Sequence, residues 1–284
     1  MKRLLSGVVA AATILLTSTI FVQPADAKCA SILTRHEIRE LSDADRQSFF
    51  DAVKKMQGEK QPNQFDEFIN QHITYSTQAH GVPAFLPWHR EYLRRFDQAL
   101  RDHGSAVPLP YWDWAADSQA PETAPIFHPD WLGTNGKGHN YCVADGQFSN
   151  YKPYYPTPNG CFSRRFDGDT PGTIGALYST DFVAELQASS KDYDTFRRGY
   201  EGTAHARVHN AIGSSFSYMT SPADLIFWLH HSLVDKHWAE WQALGHTNDY
   251  GPTSPDEKLV PWDIPAKATF DTTAEPYCYV YSNM

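Results

Sequence analysis

Apolar side chains recur at helical spacing in several segments of this chain, and stretches rich in proline, glycine and asparagine separate those segments. The longest separating stretch, residues 118–173, shows no helical period. Alternation at strand spacing is clearest near the end, at Tyr277, Tyr279 and Tyr281. The pattern predicts a mainly α-helical fold with long loops and few short strands. The predicted helices cover residues 36–58, 63 to beyond 72, 87–103, 179–187, 193–209 and 221 onward.

Two of the predicted helices carry paired histidines. His205 and His209 are four residues apart, so an α-helix places both imidazoles on one face. The next helix is predicted to begin with Ser221 as its N-cap, and it contains the adjacent His230 and His231. Because neighbouring residues diverge by about 100° around a helix, we expect only one of this adjacent pair to join His205 and His209.

An isolated H-x-x-x-H pair is more often an ordinary feature of a helix than a metal site. The nearest alternative function is that of a zinc protease, whose H-E-x-x-H motif places a glutamate general base after the first histidine. Here that position is Ala206, so the protease hypothesis lacks its catalytic group. A second group of histidines is needed before the pair indicates a metal centre.

That second group lies upstream, at His72, His80 and His89. His72 belongs to the helix that starts near Asn63. Glycine and prolines interrupt the chain after it, so His80 is expected on a loop and His89 in the first turn of the next helix. Helical bundles build metal sites from such inward-facing side chains. Two groups of three histidines, with no carboxylate or cysteine obviously among them, favour a pair of copper ions over a di-iron centre.

Five segments then match one family in order across most of the chain. They are H-x7-H-x8-H at residues 72–89, AHGVPAFLPWHREYL, LPYWDW, the histidine pair at 205 and 209, and LHHSLVDKHWAEWQ. The sequence resembles the tyrosinase and catechol oxidase family of type 3 copper proteins, which also includes molluscan haemocyanins. The resemblance implies a four-helix-bundle core that holds a binuclear copper site.

The resemblance also implies roles for individual residues. The implied ligands are His72, His80 and His89 for the first copper ion and His205, His209 and His231 for the second. In the family the second histidine of the adjacent pair is the ligand, so His230 is expected behind it. Phe227 corresponds to the aromatic residue over the copper pair. Some family members link a cysteine to the second ligand of the first site. Here Gln78 stands at that position, so no such link is expected and His80 should be more mobile.

For activity, the resemblance implies that two copper ions use dioxygen as co-substrate to oxidise o-diphenols to o-quinones. Relatives that readily hydroxylate monophenols often hold a water between a glutamate and an asparagine. Glu201 matches the glutamate, but Ala206 occupies the asparagine position. Asn210 follows His209 instead of His205, so it is only a candidate substitute for that asparagine. We therefore expect diphenol oxidation with weaker monophenol hydroxylation. Full tyrosinase activity and haemocyanin-like oxygen binding are the alternatives.

Residues 1–27 have the features of a signal peptide. Lys2 and Arg3 precede an apolar core, and the A-D-A sequence at 25–27 has the form of a cleavage site. The alternative is an uncleaved membrane anchor, since the apolar run approaches the ~20 residues that span a bilayer. We favour secretion, with one catalytic domain over residues 28–284 and no membrane association after cleavage.

Secretion into an oxidising compartment makes disulfides the expected state of the four cysteines. Three pairings are formally possible. We favour Cys29 with Cys278, which ties the chain ends together, and Cys142 with Cys161 across the long loop. None of the cysteines has zinc-finger spacing.

Composition and net charge limit the kinds of molecule that this protein is expected to bind. A chain of 284 residues with 14% aromatic content suits one domain with a thick apolar core. A net charge of −9 without a basic cluster argues against nucleic-acid binding, so small phenolic substrates are the expected partners. His128 and His139 lie in the long loop and are not expected to be ligands. Longer relatives continue beyond the tyrosine motif into a covering domain. Either this protein lacks one or the sequence omits it.

Overall fold

The computed structural model describes residues 28–284, and the predicted signal peptide lies outside them. The described chain is mainly helical. Within it, no helix combines the length and the apolarity needed to cross a bilayer. The helices are α1 (Asp43–Gln57), α2 (Gln64–Thr74), α3 (Ser76–Ala79), α4 (Phe85–Asp102), α5 (Thr180–Ser189), α6 (Tyr193–Tyr200), α7 (Ala206–Ile212) and α8 (Leu225–Trp241). The strands are β1 (Leu33–Arg35), β2 (Lys258–Leu259), β3 (Ile264–Pro265) and β4 (Tyr279–Tyr281).

The centre of the fold is the packing of α4 against α8. Phe96 and Trp228 stack between these helices with ring centroids 3.6 Å apart. From α2, Phe65 and Phe68 pack edge-on against the ring of Phe96. The π-helical turn Glu201–His205 joins α6 to α7 without a break in the helical path. Four helical segments therefore surround the inward-facing histidines, as the bundle prediction requires.

Helix α2 begins where the sequence predicted. The Asn63 side chain accepts a hydrogen bond from the Asp66 amide, and the Asp66 carboxylate accepts one from the Asn63 amide. This reciprocal pair satisfies two backbone donors that have no partner inside the helix. It fixes the start of the helix that carries His72.

The predicted start of α8 was wrong. Ser221–Ala223 forms a 3-10 turn, and Asp224 is the N-cap, accepting a 3.1 Å hydrogen bond from the Ile226 amide. Arg164 donates to both oxygens of Asp224, at 2.6 and 2.8 Å. Arg164 thereby fixes the Asp224 carboxylate in place as the cap, whereas the Ser221 hydroxyl is buried without a hydrogen-bond partner. The helix consequently starts three residues later than expected.

Two other helix starts also differ from the prediction. Helix α4 begins at Phe85, two residues before Pro87, because a proline in the first turn gives up no hydrogen bond. Helix α1 begins only at Asp43, with Ser42 as its N-cap, although it ends at Gly58 as predicted. Residues 36–42 instead hold an isolated bridge at Glu37 followed by a turn, and β1 lies directly before them.

The chain ends meet in a two-stranded parallel sheet. Strand β1 pairs with β4, so that Leu33 lies opposite Tyr279 and Arg35 opposite Tyr281. A disulfide joins Cys29 to Cys278, with Cα atoms 5.5 Å apart. The second favoured disulfide, Cys142–Cys161, is also present, with Cα atoms 5.6 Å apart. Both predicted pairings are confirmed, and residues 28–284 contain no free cysteine.

The long loop contains two 3-10 turns, at Pro121–Thr123 and Pro125–Phe127, and is otherwise irregular. His128 and His139 are both exposed in it. Neither approaches the buried histidines that the structure groups together.

Candidate metal centre

The first three histidines come from consecutive elements. His72 lies in the last turn of α2, His80 directly follows α3, and His89 lies near the start of α4. Ring centroids are 4.9 Å apart for His72 and His80, 4.9 Å for His80 and His89, and 5.7 Å for His72 and His89. Each ring offers a nitrogen within 4.8 Å of a nitrogen from each of the other two. The three predicted residues are therefore brought together.

The second group forms around the π-helical turn. His205 ends this turn and His209 lies in α7, with ring centroids 4.6 Å apart. From α8, the Nε2 atom of His231 lies 3.3 Å from the Nε2 atom of His209. π-Helical turns inside α-helices often occur at functional sites. The predicted helix over 193–209 thus contains an irregular turn that the sequence did not reveal.

The two groups face one another. His89 and His231 stack with ring centroids 4.5 Å apart and an interplanar angle of 16°. We call the six residues His72, His80, His89, His205, His209 and His231 the histidine centre. His80 and His209 are partly exposed, whereas the other four are buried. The side of the centre formed by these two rings is therefore its least buried side.

Backbone carbonyls orient most of these rings. Five Nδ1 atoms lie 2.7–3.1 Å from a carbonyl oxygen: His72 with Met219, His80 with Ser76, His89 with Phe85, His205 with Glu201 and His209 with Phe216. Because a carbonyl oxygen only accepts, each Nδ1 donates its proton and each Nε2 keeps a lone pair.

Three Nε2 lone pairs of the histidine centre are left free. The Nε2 atoms of His72, His89 and His205 are buried without a hydrogen-bond partner, and unpaired buried polar atoms are rare in proteins. Imidazoles whose Nδ1 atoms are held by carbonyls are typical metal ligands, and imidazole suits copper. The residues present therefore fit a pair of copper ions.

Burial also keeps the imidazoles uncharged. It lowers the pKa of His209 to about 4. Burial, followed by the neighbouring histidines, lowers the pKa of His72, His89, His205 and His231 well below the ordinary value of 6.5. A neutral imidazole is the form that binds a metal ion, so the centre is ready to do so at neutral pH.

His230 lies closer to the second group than the helix geometry predicted. One of its nitrogens is within 4.8 Å of those of His205, His209 and His231, and its ring stacks on His205 at 5.4 Å. On its other side it faces Trp114, at 6.0 Å. His231, in contrast, contacts the first group directly. This arrangement favours His231 as the ligand of the second group, with His230 behind it.

Two phenylalanine rings each contact histidines of both groups. The Phe227 ring lies 5.0 Å from His72 and 4.2 Å from His231. Phe85 lies 4.8 Å from His89 and 4.9 Å from His205. Both rings are fully buried. The sequence indicated Phe227 but missed Phe85, although its position four residues before His89 on α4 places it on the same face.

Glu201 bridges two segments of the centre. Its Oε1 accepts a 2.6 Å hydrogen bond from the Gly81 amide, beside His80, and its Oε2 accepts one of 3.0 Å from Arg197. Burial raises the pKa of Glu201, while Gly81 and Arg197 act in the opposite direction. Oε1 therefore holds the loop of His80, while Oε2 pairs with Arg197 of α6. The sequence did not identify Arg197 as the partner.

The remaining predicted residues have fewer contacts. Ala206 directly follows His205, is half-buried and offers no polar side-chain atom. Asn210 is exposed, and none of the side-chain hydrogen bonds described within residues 28–284 connects it to Glu201. The structure thus provides no contact through which Asn210 could replace an asparagine at position 206.

A family model described as the common central domain of tyrosinase matches residues 62–244. A tyrosinase of Streptomyces glaucescens is 34% identical over 250 residues, which cover 75% of this chain and 90% of that protein. The chain belongs to the tyrosinase family. A tyrosinase of Streptomyces lincolnensis is 31% identical over 245 residues, covering 73% of this chain and 89% of that protein. The resemblance drawn from the sequence motifs is confirmed.

Solved structures confirm the fold of this tyrosinase-family chain. A variant polyphenol oxidase from Thermothelomyces thermophila has a TM-score of 0.70 at 24% identity and covers 88% of both chains. A functional unit of octopus hemocyanin has a TM-score of 0.66 at 21% identity, covering 88% of this chain and 68% of that one. The predicted fold class, a mainly helical copper-protein fold with few short strands, is therefore correct.

Proposed function

We propose that this tyrosinase-family chain is a copper-dependent phenol oxidase that oxidises o-diphenols to o-quinones with dioxygen. The observation that carries the proposal is the convergence of six imidazoles, three of which, His72, His89 and His205, have buried Nε2 atoms without a hydrogen-bond partner. Its first copper ion would be held by His72, His80 and His89, and its second by His205, His209 and His231. His230 would support the second site from behind.

A bound copper pair supplies the change between the +1 and +2 states by which one dioxygen takes four electrons from two o-diphenols, giving two o-quinones and two waters. The protein's own contribution is orientation and exclusion of water. The carbonyls of Phe216 and Met219 hold the rings of His209 and His72. Phe85 and Phe227 keep water away from the buried side, and the partly exposed side at His80 admits the substrate.

The substrate preference follows from the surroundings of Glu201. A water held between Glu201 and a polar side chain at position 206 would assist removal of the phenol proton, and Ala206 cannot hold that water. The contacts to Gly81 and Arg197 further occupy the Glu201 oxygens. We therefore propose weak or lagging action on monophenols beside strong action on diphenols.

We also propose that the chain is secreted, with residues 1–27 as its signal peptide and residues 28–284 as the catalytic domain. The two disulfides support this proposal because such bonds persist in oxidising compartments. Small phenols would be its partners, without nucleic acid and without a membrane after cleavage. The net charge of −9 agrees with this set.

The hemocyanin neighbour gives reason to consider a second function, reversible oxygen binding. An oxygen-binding protein of this fold would use the same six histidines and differ in keeping phenols out. The partly exposed rings of His80 and His209 favour access, and hence the oxidase.

Oxygen uptake by the copper-loaded protein, measured with catechol and with tyrosine side by side, tests the proposal. We expect sustained uptake with catechol and slow or lagging uptake with tyrosine. Uptake that stops at one dioxygen per chain would indicate an oxygen carrier. Purification with zinc and without copper-dependent activity would overturn the oxidase altogether.

The Ala206→Asn variant tests the substrate preference. General-base assistance is worth ~10²–10⁴-fold, and we expect the ratio of monophenol to diphenol turnover to rise by the lower end of that range, because Glu201 is already engaged. An equal rise in both rates would show that position 206 does not control the preference.

A further inference from the structure

Segment 214–220 contacts one histidine of each group, and it does so through its backbone. The carbonyl oxygen of Phe216 accepts a hydrogen bond of 2.8 Å from Nδ1 of His209. The carbonyl oxygen of Met219 accepts one of 2.8 Å from Nδ1 of His72. The Phe216 ring also packs against the imidazole of His209, with ring centroids 4.9 Å apart. A single short segment therefore orients one ring in each half of the histidine centre.

The other three imidazoles that a carbonyl holds are oriented by their own chain neighbourhood. Each of them donates from Nδ1 to the carbonyl oxygen four residues earlier: His80, His89 and His205. Such a contact lies within one helical turn and needs no distant partner. His72 and His209 differ, because their acceptors lie 147 and 7 residues further along the chain. The orientation of these two rings thus depends on where segment 214–220 is placed.

The chain enters this segment through two residues in the left-handed region of backbone conformation. Gly213 has a φ of +70° and Ser214 a φ of +52°. Glycine adopts such angles readily, whereas a residue with a Cβ atom rarely does. Rare conformations of this kind persist only where surrounding contacts hold them, and they are concentrated at functional sites. The contacts of Ser214 and its neighbour therefore show what fixes the segment.

Three serine side chains fasten the segment to the long loop. The Ser215 hydroxyl accepts a 2.8 Å hydrogen bond from the Ser163 amide and donates one of 2.8 Å to the Ser163 carbonyl. The Ser163 hydroxyl lies 2.7 Å from the Ser214 hydroxyl and accepts a 3.3 Å hydrogen bond from the Ser215 amide. A hydroxyl both donates and accepts, so these side chains join the two stretches of backbone from both sides. We call Ser163, Ser214 and Ser215 the serine clasp.

The loop side of the serine clasp is anchored independently of the segment. Ser163 pairs with Cys142 in an isolated β-bridge, and the disulfide between Cys142 and Cys161 closes the chain beside it. The next residue, Arg164, donates to both oxygens of Asp224. The clasp therefore joins the segment to a part of the loop that is fixed at two further points.

We propose that segment 214–220 is a shared positioning element of the two copper sites and that Ser215 is the positioning residue that fixes it. The proposal rests on the copper-dependent function proposed above, because the segment orients one ligand of each ion. A shift of the segment would move the acceptors of His72 and His209 together, and the Nε2 lone pairs of both rings would lose their fixed direction. One stretch of backbone thereby couples the two sites.

Proton–nitrogen NMR spectra of the imidazoles in the metal-free protein test the positioning directly, because they report which ring nitrogen carries the proton. In the unaltered protein, all five imidazoles held by carbonyls should show the proton on Nδ1. In Ser215→Ala we expect His72 and His209 to become mixtures of the two tautomers, whereas the three imidazoles with acceptors four residues earlier keep theirs. No change at His72 and His209, or an equal change in all five rings, overturns the proposal.

Three further variants identify the hydroxyl as the cause. Ser215→Thr keeps the hydroxyl, and its added methyl group has room because Ser215 lines an open cleft. Its spectrum should match that of the unaltered protein, and a spectrum like that of Ser215→Ala would overturn the role of the hydroxyl. Ser163→Ala removes the other two contacts of the serine clasp and should give the same selective change. Ser105→Ala is the matched control, since the Ser105 hydroxyl also donates to a carbonyl and accepts from an amide, both of Val107, and it should change neither ring.

Chelator competition measures the consequence for the metal. In Ser215→Ala both copper ions should be held about tenfold less tightly, at the lower end of the roughly 10–100-fold cost of losing a supporting partner. A loss at one ion alone, or unchanged affinity despite the change in tautomers, overturns the shared role. If the selective change in tautomers is found but the unaltered protein binds no copper, the copper-dependent function is overturned and the orientation of the two rings by segment 214–220 stands.

Discussion

Helix α8 contributes to two buried polar clusters one turn apart, and they are satisfied in opposite ways. His231 belongs to the histidine centre, where three Nε2 atoms are buried without hydrogen-bond partners. Asp235, four residues later, accepts hydrogen bonds from Arg90, Tyr279 and Tyr281 at 2.5, 2.5 and 2.6 Å. We call Arg35, Arg90, Asp235, Tyr279 and Tyr281 the arginine–aspartate cluster.

The electrostatics of the two clusters differ as well. Burial alone would raise the pKa of Asp235, but Arg90 and Arg35 outweigh it and hold that pKa below its ordinary value. The guanidinium of Arg35 also lies 3.7 Å from the centroid of the Tyr279 ring. Charged groups are thus retained in the arginine–aspartate cluster by compensating partners. In the histidine centre, burial instead removes the charge.

The difference distinguishes a structural cluster from a functional one. The groups paired with Asp235 hold the chain ends against α4 and α8, although Nε and Nη2 of Arg35 are buried without a hydrogen-bond partner. The uncharged imidazoles of the histidine centre, in contrast, have unpaired nitrogen atoms that a metal ion could occupy. Each of the following predictions concerns one side of this comparison.

Removing a ligand should empty half of the histidine centre. For His231→Ala we expect one copper ion per chain, whereas His230→Ala should keep both sites and weaken the second by roughly 10–100-fold, the usual cost of losing a supporting partner. Metal analysis combined with chelator competition measures both. If His230→Ala proved the more damaging change, the ligand assignment would be one residue out of register.

Removing the acid should damage the arginine–aspartate cluster without affecting the metal directly. Asp235→Ala leaves Arg35 and Arg90 buried beside an absent partner, and we expect a loss of about 3–5 kcal/mol in the free energy of unfolding. Urea denaturation of the metal-free protein measures it. Asp130→Ala, at an exposed aspartate, is the control. A loss as small as that of the control would mean that the arginines are satisfied by other groups.

The two clusters should lose their contributions to stability in different pH ranges as the pH is lowered. Burial holds the pKa of His209 at about 4 in the folded protein, below the unfolded value of 6.5. The contribution of this histidine to stability is therefore complete above pH 6.5 and is lost as the pH falls towards 4. The contribution of Asp235, whose pKa lies below 3.8, is lost only below that value. The metal-free protein should lose stability in two steps, measured by urea denaturation across this range. A single loss below pH 4 would contradict the first step.

The smallest effect is expected at Glu201. Glu201→Ala removes the acceptor for the Gly81 amide and should loosen His80, weakening the first copper site by about tenfold, whereas Glu201→Gln keeps an oxygen there and should weaken it less. In the His231→Ala background, chelator competition reports the first site alone. Equal losses in both Glu201 variants would show that the hydrogen bond to Gly81 does not position His80.

The sequence by itself indicated two groups of histidines because their signal is local, whereas the choice of His231 over His230 came from the family resemblance. The four-residue spacing of His205 and His209 and the prolines around His80 and His89 follow directly from helix geometry. The favoured disulfides likewise followed from the number and placement of the cysteines. Such features can be recognised from neighbouring residues in the sequence and from the spacing between them.

Only the tertiary structure decided which distant groups complete these local features. Arg164 orients Asp224 from 60 residues away and thereby moves the start of α8. The carbonyl of Met219 holds His72 from 147 residues away, and backbone carbonyls carry no residue-specific signal. Arg197 lies one helical turn before Glu201, so this ion pair is local. The hydrogen bond from the Gly81 amide to Glu201, which links the pair to the loop of His80, forms only in the folded protein. The local spacing of residues in the sequence is enough to identify the histidines of the site. Their orientation, protonation and hydrogen-bond partners depend on contacts between residues that are far apart in the sequence.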